Sequence, residues 1–362
     1  MGSKPLKVFI SVDAEGMPFA ASRSMWSPND PYYNETRENM TSITSTVIQA
    51  LTWLTNEKEV KEISRKLENL FIKEHASDII SSLSTGKPLE ELDTLLPAPQ
   101  VPLEVVVADS HGSMMNIEPM KLWSTIISGL SESLCTNSLA KHETRLCNAL
   151  VEHYVGSKLL KISLVRGFPR PLSMVNGAEG SDFAVFLGYH ATPPMGGLLG
   201  HTMSGRIVQR MRIKGEDDAS EYLLNTLMLG EIGVPIALVA GDETLRGQVE
   251  KHTPWAVFVP LTQKVSSLAS TTPSPYEYRR MLWEGLSKAF NNYKSGELKP
   301  LLPEEPWVEV EFKRPWFADV AELIPCTKRV DGLRVRFECD TIRKSFAAIE
   351  AAILAAYSVA MR

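Results

Sequence analysis

Four short apolar runs in this 362-residue chain each give way to acidic or imidazole side chains. Residues 7–12 lead into Asp13-Ala14-Glu15-Gly16, and residues 105–108 into Asp109-Ser110-His111-Gly112. Residues 183–187 lead into Gly188-Tyr189-His190, and residues 235–240 into Gly241-Asp242-Glu243. Alternate residues of an extended chain point the same way, so Asp13 and Glu15 can face one ion together. A carboxylate, with two oxygens, can also bridge two cations. Mixed imidazole and carboxylate donors suit Zn²⁺, with Mn²⁺, Co²⁺ and Fe²⁺ as competitors. Two such ions about 3.5–4 Å apart make a bound water nucleophilic while polarising a carbonyl. Each signal alone is weak. An aspartate after a strand is commonly a turn former or helix cap, and a single histidine is commonly a satisfied core or loop residue. Their repetition at four strand ends is what points to a metal site.

Two further residues have chemical potential but a bland reading when taken alone. His201 follows the glycine-rich run Met195-Gly196-Gly197-Leu198-Leu199-Gly200, where close backbone approach lets an imidazole act as general acid or base, or meet a developing oxyanion. Without further support it is an exposed loop histidine. Glu221 opens the helical run SEYLLNTLML, where a carboxylate favours the positive helix N-terminus. His75, His142, His153 and His252 lie in charged or helical surroundings and read as solvated. No phosphate-binding loop, dinucleotide fingerprint, GxSxG or HExxH is present.

The elements that must position these residues follow from the hydrophobic pattern. The four Val-, Ile-, Leu- and Phe-rich runs read as buried strands, separated by helical patterns such as Met40, Ile43, Val47, Ile48, Leu51 and Leu54 within residues 36–54. Such alternation predicts an α/β fold, a mainly parallel doubly wound sheet with helices on both faces. In such a sheet ligands bind at the carboxyl ends of the strands, which is where the acidic and imidazole residues lie. Residues 1–250 are expected to form this metal-site domain, with insertions near 57–104 and 121–157. Residues 251–362 are expected to form a smaller α+β C-terminal lobe that shares segments with the first and holds no catalytic constellation. Within it, a helix is expected near 276–290, strands at 307–312 and 333–337, and a final helix capped by Asp340 with Ile342, Phe346, Ile349, Ile353 and Tyr357 inward.

Composition removes several function classes. The chain is 44% hydrophobic and 22% charged, with a net charge of −5. Mild acidity argues against nucleic acid as a partner, since phosphate binding needs a basic face. No uncharged apolar run of membrane-spanning length occurs, so no membrane partner is expected. The N-terminal residues show no secretory pattern. Cys135, Cys147, Cys326 and Cys339 are scattered without a CxxC pair and read as reduced thiols, so a cytoplasmic location is expected.

Taken in order, SVDAEG, ADSHG, SMVNG, FLGYHA, the GH at 200–201, the helix carrying Glu221, VPIALVAGDE, ELIPCT and the final AMR resemble the segments of DppA-type D-aminopeptidases. The resemblance covers about three quarters of the chain and omits residues 57–104 and much of 121–157. It implies a binuclear zinc aminopeptidase that releases N-terminal residues, D-amino acids among them, from short peptides. It also implies a homo-oligomeric ring, a decamer in the family. Matched position by position, the metal ligands are Asp13 (bridging), Glu15, His111, His190 and Glu221, and the catalytic histidine is His201. Asp109 and Asp242 are candidates to orient His111 or to meet the substrate's amino group. The insertion at 57–104 and the segment 19–26 depart from the family pattern, and both bear on substrate preference. The alternatives are another metal-dependent amidohydrolase or phosphoesterase, which the scarcity of basic residues beside the ligands disfavours, and a ring-forming metal-binding protein without activity, which an intact His201 disfavours.

Overall fold

The structure is a computed structural model that describes residues 4–62, 102–112, 114–135 and 144–360. A seven-stranded, mainly parallel sheet has the order β3-β2-β1-β4-β6-β7-β8. Its strands are β1 (Leu6–Val12), β2 (Leu103–Asp109), β3 (Leu160–Val165), β4 (Phe183–Tyr189), β6 (Ile236–Asp242), β7 (Val257–Ser266) and β8 (Ala269–Thr271). A four-stranded antiparallel sheet has the order β10-β11-β9-β5, from β5 (Val208–Arg212), β9 (Trp307–Phe312), β10 (Thr327–Arg329) and β11 (Arg334–Glu338). The helices are α1 (Tyr33–Thr55), α2 (Pro119–Leu134), α3 (Thr144–Tyr154), α4 (Glu221–Glu231), α5 (Arg246–His252), α6 (Pro275–Lys294), α7 (Pro315–Ala321) and α8 (Ile342–Ala360).

The expected α/β class is the one observed, and its four expected strands are β1, β2, β4 and β6. Strands β4 and β6 are buried along their whole length, as the unbroken apolar runs require of a parallel sheet covered on both faces. Alternation divides the side chains of β1, β4, β6 and β7 between the two faces of the sheet. Phe9, Ala184, Phe186 and Val239 join one apolar core with Tyr222, Leu223 and Leu227 of α4. Leu238 and Val259 point the other way and press on Gly285 of α6. The strand order reverses between β1 and β4, whose parallel register pairs Val8 with Phe183 and Val12 with Leu187. That reversal opens a crevice at the carboxyl ends of the two strands.

Two compact units emerge, each assembled from separate stretches of chain. One comprises residues 1–7, 41–105 and 118–163; the other comprises 8–40, 106–117 and 164–362. In the first, the described residues of the stretch 121–157, expected to be an insertion, are largely helical in α2 and α3, where Trp123 Nε1 donates to Glu152 at 2.7 Å. Most of the 57–104 segment lies outside the described residues. In the second, the small sheet, α7 and α8 bury Val310, Phe312, Val335, Phe337, Phe346 and Ile349 in the same core as α4.

Three local expectations are corrected. The cysteines are not free thiols: Cys135 pairs with Cys147 and Cys326 with Cys339, because the fold brings residues 12 and 13 positions apart to Cα separations of 6.7 and 5.4 Å. The final helix is capped by Thr341, whose Oγ1 accepts from the Lys344 amide at 3.2 Å, whereas Asp340 takes the Lys344 ammonium. Strands β3, β5 and β7 carry too many charged or polar residues to stand out as apolar runs, and the sequence reading omitted them. No helix among the described residues is long and apolar enough to cross a membrane.

One glycine shows how tightly β1 and β4 meet. Gly188 has φ +74°, and a Cβ there would collide with the Asp13 carbonyl. Gly188→Ala is therefore expected to cost on the order of 2–4 kcal/mol, from the left-handed backbone and the clash together. Urea unfolding of the variant measures this, and a midpoint equal to that of the native chain would contradict the close approach.

Candidate metal centre

All six residues that sequence reading placed at the heart of the site lie in the second compact unit, and they converge. Asp13 and Glu15 follow β1, His111 follows β2, and His190 follows β4. His201 lies on the loop after β4, and Glu221 is the first residue of α4. Asp13, Glu15, His111, His190 and Glu221 are all buried. Three overlapping trios each bring donor atoms within 4.8 Å of one another: Asp13, Glu15 and His111; Asp13, His190 and Glu221; and Glu15, His190 and His201. Asp13 belongs to the two that contain the most deeply buried donors.

The three imidazoles share one orientation rule. His111 Nε2 lies 3.2 Å from the Trp26 carbonyl oxygen, His190 Nδ1 lies 3.1 Å from that of Ala191, and His201 Nδ1 lies 3.0 Å from that of Leu199. A carbonyl only accepts, so each of these nitrogens carries hydrogen and the opposite ring nitrogen is turned to the carboxylates. His111 Nδ1 is 3.0 Å from Glu15 Oε2 and 3.4 Å from Asp13 Oδ1. His190 Nε2 is 3.7 Å from both Asp13 Oδ2 and Glu221 Oε2, and His201 Nε2 is 3.7 Å from Glu15 Oε1. The His190 and His201 rings stack with centroids 4.5 Å apart, and Trp26 stands edge-on to His111 at 5.5 Å.

Three carboxylates this close and this dry oppose one another's ionisation. Burial, then the charges of Glu15 and Glu221, push the Asp13 carboxyl up to about 7. Burial pushes Glu15 the same way, but His111, with His201 and His190, holds it well below the usual carboxylate range. Glu221 is lowered despite its burial, by His190 and His201. The imidazoles answer in kind. Burial would lower His111 and His190, yet the facing carboxylates raise His111 well above its ordinary value and His190 to about 10. The cluster thus recruits positive charge. Even so, buried Asp13 Oδ2 and His190 Nε2 have no hydrogen-bond partner. Carboxylate and imidazole donors of this kind, converging in a buried cluster and left short of hydrogen bonds, suit a divalent cation.

Beneath the carboxylates a polar network ties the strand ends together. Ser11 Oγ is 2.9 Å from Ser110 Oγ and 2.8 Å from Tyr189 Oη, and it donates to the Met174 carbonyl at 2.9 Å. Asn225 Nδ2, one turn after Glu221 on α4, donates to Tyr189 Oη at 3.2 Å. Glu221 is fixed further by Ser220, whose hydroxyl caps α4, and by the Met203 amide that donates to its Oε1. Leu199 and Met203, on either side of His201, hold left-handed φ values of 51° and 58° without being glycine, a strain that commonly marks functional loops.

Asp109 and Asp242 belong to none of the three donor trios. Asp109 Oδ2 accepts from the Asn116 and Ile117 amides at 2.5 and 2.7 Å, and Oδ1 accepts from Asn116 Nδ2 at 2.7 Å. Asn116 Nδ2 also donates to the His111 carbonyl, so Asp109 shapes the loop that carries His111. Asp242 accepts from the Leu198 amide at 3.0 Å and so holds the loop that leads to His201.

Two cavities meet at Glu15, Trp26 and His201. One, of about 430 Å³, is walled by Met114, Phe168, Phe346, Ile353 and Leu354 and contains Glu350 and Tyr357. The other, of about 790 Å³, is lined by Gly197, Gly200, Arg206, Leu268 and Lys313 among others. The sequence reading found nothing chemical in the final helix, yet α8 supplies a wall of the smaller cavity. The signal missed was Glu350 on the helix's apolar face, where burial raises its carboxyl despite Ser173 and Arg170. Trp26 was missed because its contribution is a backbone carbonyl, which any residue type provides.

The family model described as Peptidase M55, D-aminopeptidase, matches residues 6–78 and 159–351. The match runs on to residue 78, into the stretch beginning at 57 that reads as an insertion. A D-aminopeptidase of Bacillus subtilis (strain 168) is 29% identical over 225 residues, which is 61% of this chain and 78% of the relative. The solved structure described as the Zn-dependent D-aminopeptidase DppA from Bacillus subtilis, a self-compartmentalizing protease, superposes with a TM-score of 0.65. That alignment covers 97% of this chain and 98% of the other at 22% identity, a likeness of fold.

The Asp109 arrangement yields a stability test. Asp109→Ala strands two buried amides and the Asn116 side chain, and is expected to cost about 2–4 kcal/mol. Asp109→Asn keeps one acceptor oxygen and should cost about half as much. Denaturant unfolding of the pair measures the difference, and equal stability of Asp109→Ala and the native chain would exclude a loop-holding role.

Proposed function

Because the chain belongs to the Peptidase M55 (D-aminopeptidase) family, we propose that it is a zinc-dependent aminopeptidase that removes N-terminal D-residues from short peptides. The observation that carries this reading is the pair of buried, unpartnered donors, Asp13 Oδ2 and His190 Nε2, inside the interlocked carboxylate and imidazole trios. Asp13, Glu15 and His111 would hold one ion, and Asp13, His190 and Glu221 a second, with Asp13 between them. Zinc held there would supply Lewis acidity and a water acidic enough to attack at neutral pH.

The chain's own residues have the remaining tasks. Backbone carbonyls of Trp26 and Ala191 orient His111 and His190, so that each ring, on giving up its inward proton, would present a lone pair to a metal. His201 also occurs in one donor trio, but its side chain is 23% exposed against 7% and 1% for the other two histidines, and it lines both cavities. It is therefore assigned to the reaction rather than to the metal: its Nε2 would move a proton between the attacking water and the departing amine. The apolar wall of the smaller cavity would take the first side chain of the substrate and keep bulk water from the scissile bond.

Because the solved relative is described as self-compartmentalizing, the chain is also proposed to self-assemble into a homo-oligomer, whose mass sedimentation of the purified protein measures.

Elemental analysis of the purified chain, paired with cleavage of D-alanyl and L-alanyl dipeptides, tests the reading. About two transition-metal ions per chain, chelator-sensitive turnover and a D-over-L preference are expected. Glu15→Ala and His190→Ala should lose metal and activity together, whereas His201→Ala should keep metal and lose about 10²–10⁴-fold in kcat. Wild-type turnover in the first two variants would sink the site assignment.

A pH dependence follows from the raised groups. His111 and His190 take up protons in the metal-free chain, and Asp13 titrates near 7. Metal binding must expel these protons, so affinity is expected to rise with pH and to weaken below neutrality. Calorimetric titration of the metal-free chain with Zn²⁺ in buffers of different ionisation enthalpy should record net proton release at pH 7. Net uptake would contradict the expected direction.

A further inference from the structure

Arg206 and Lys313 are far apart in sequence but adjacent in the fold. Strand β5 pairs with β9 so that Val208 faces Phe312, and the Lys313 amide donates to the Ile207 carbonyl at 3.0 Å. This register sets the residues just outside the paired ends, Arg206 and Lys313, side by side on the wall of the larger cavity. The same cavity is lined by Glu15 and His201. Among the described residues neither cation has a carboxylate partner. Lys313 Nζ donates to the Gly205 carbonyl, and Arg206 Nη2 lies 3.5 Å from the Ala360 carbonyl. In a chain of net charge −5, most other cations of this small sheet are paired: Arg212 with Glu311, Arg334 with Asp331 and Glu309, and Arg336 with Glu309.

The cavity on the other side of His201 has the opposite character. It contains Asp13, Glu15, Glu221 and Glu350 and no lysine or arginine. With Asp13, Glu15 and Glu221 assigned to the metals, Glu350 is the carboxylate left on one side of His201 and the unpaired cations lie on the other, a division that matches the two ends of a free peptide, an ammonium and a carboxylate. We propose that Arg206 and Lys313 bind the C-terminal carboxylate of the peptide substrate, which restricts the enzyme to short peptides with a free C-terminus and sets the direction in which they lie. The proposal rests on the peptidase reading above and adds to it the recognition of the leaving residue. A guanidinium forms paired hydrogen bonds with a carboxylate and an ammonium adds charge, while a C-terminal amide offers neither attraction. Side chains of an acidic residue carry the same chemical group, so the test must separate the two sources.

Three substrates decide the matter: D-alanyl-D-alanine, its C-terminal amide, and D-alanyl-D-glutamic acid α-amide, which carries its only carboxylate on the side chain. The metal-loaded native enzyme is expected to favour the free dipeptide over its amide by about 10- to 100-fold in kcat/KM, chiefly through KM. The double variant Arg206→Gln/Lys313→Gln should lose that preference, with the amide cleaved as fast as before. Arg206→Lys should retain part of the preference. Both side chains are exposed, so folding should be intact, and an unchanged thermal midpoint checks this. An equal loss on acid and amide, or no loss on either, would overturn the proposal. Efficient cleavage of the glutamyl amide alone would overturn the C-terminal assignment in favour of an acidic side chain. The same comparison by calorimetric binding, in the His201→Ala background, separates this proposal from the peptidase reading. If the native chain hydrolyses nothing, that reading fails. Tighter binding of the acid that disappears on adding the double substitution would still support the carboxylate site, and equal binding of acid and amide would refute it.

Discussion

The crowding of three buried carboxylates is the constraint on which the rest of this structure depends. Asp13, Glu15 and Glu221 lie within one cluster and away from water, an arrangement that costs free energy unless opposite charge is brought in. In the metal-free chain His111 and His190 bring part of it by holding protons well above their ordinary range. That compensation is incomplete at Asp13, whose carboxyl is pushed up to about 7, and it leaves two buried donor atoms without partners. Under the proposed function, bound metal would supply the remaining positive charge and so stabilise the folded chain.

Such a cluster is kept in place by the layers beneath and beside it. The Ser11, Ser110, Tyr189 and Asn225 network couples β1, the end of β2, β4 and α4 through hydrogen bonds that a rigid-body shift of any one element would break. Asp109 and Asp242 do the same for the loops carrying His111 and His201. Neither aspartate meets the cavities, and both work at one remove, through backbone amides. The glycine at 188 completes the arrangement by letting the Asp13 backbone come closer to β4 than any side chain permits.

Charge then divides the space above the cluster. The smaller cavity is apolar and acidic, whereas the larger one carries two unpaired cations delivered by the register of a different sheet. The small antiparallel sheet and α8 are therefore more than a cover for the core of their unit. They supply the residues by which a substrate's two ends could be told apart, and they do so without contributing to the cluster itself.

Much of this was legible in the sequence. Unbroken apolar runs mark β1, β2, β4 and β6 because strands buried on both faces cannot alternate, and the polar residues that follow them mark the open ends of a parallel sheet. The helical runs at 221 and near 276 were also legible, and each begins behind a serine whose hydroxyl caps it, Ser220 for α4 and Ser274 for α6. The rest was hidden because it depends on partners remote in the chain. Backbone carbonyls that orient the histidines have no residue-type signature, and Glu350 reads as a polar break in an apolar helix until that helix is placed beside a cavity. The cysteines look scattered until helix and strand geometry brings each pair together. The identities of the metal-binding candidates belong to the sequence, because only certain side chains offer those donor atoms. Their convergence, and the pairing of Arg206 with Lys313 across more than a hundred residues, belong to the tertiary structure, because strand order and register alone decide which distant residues become neighbours.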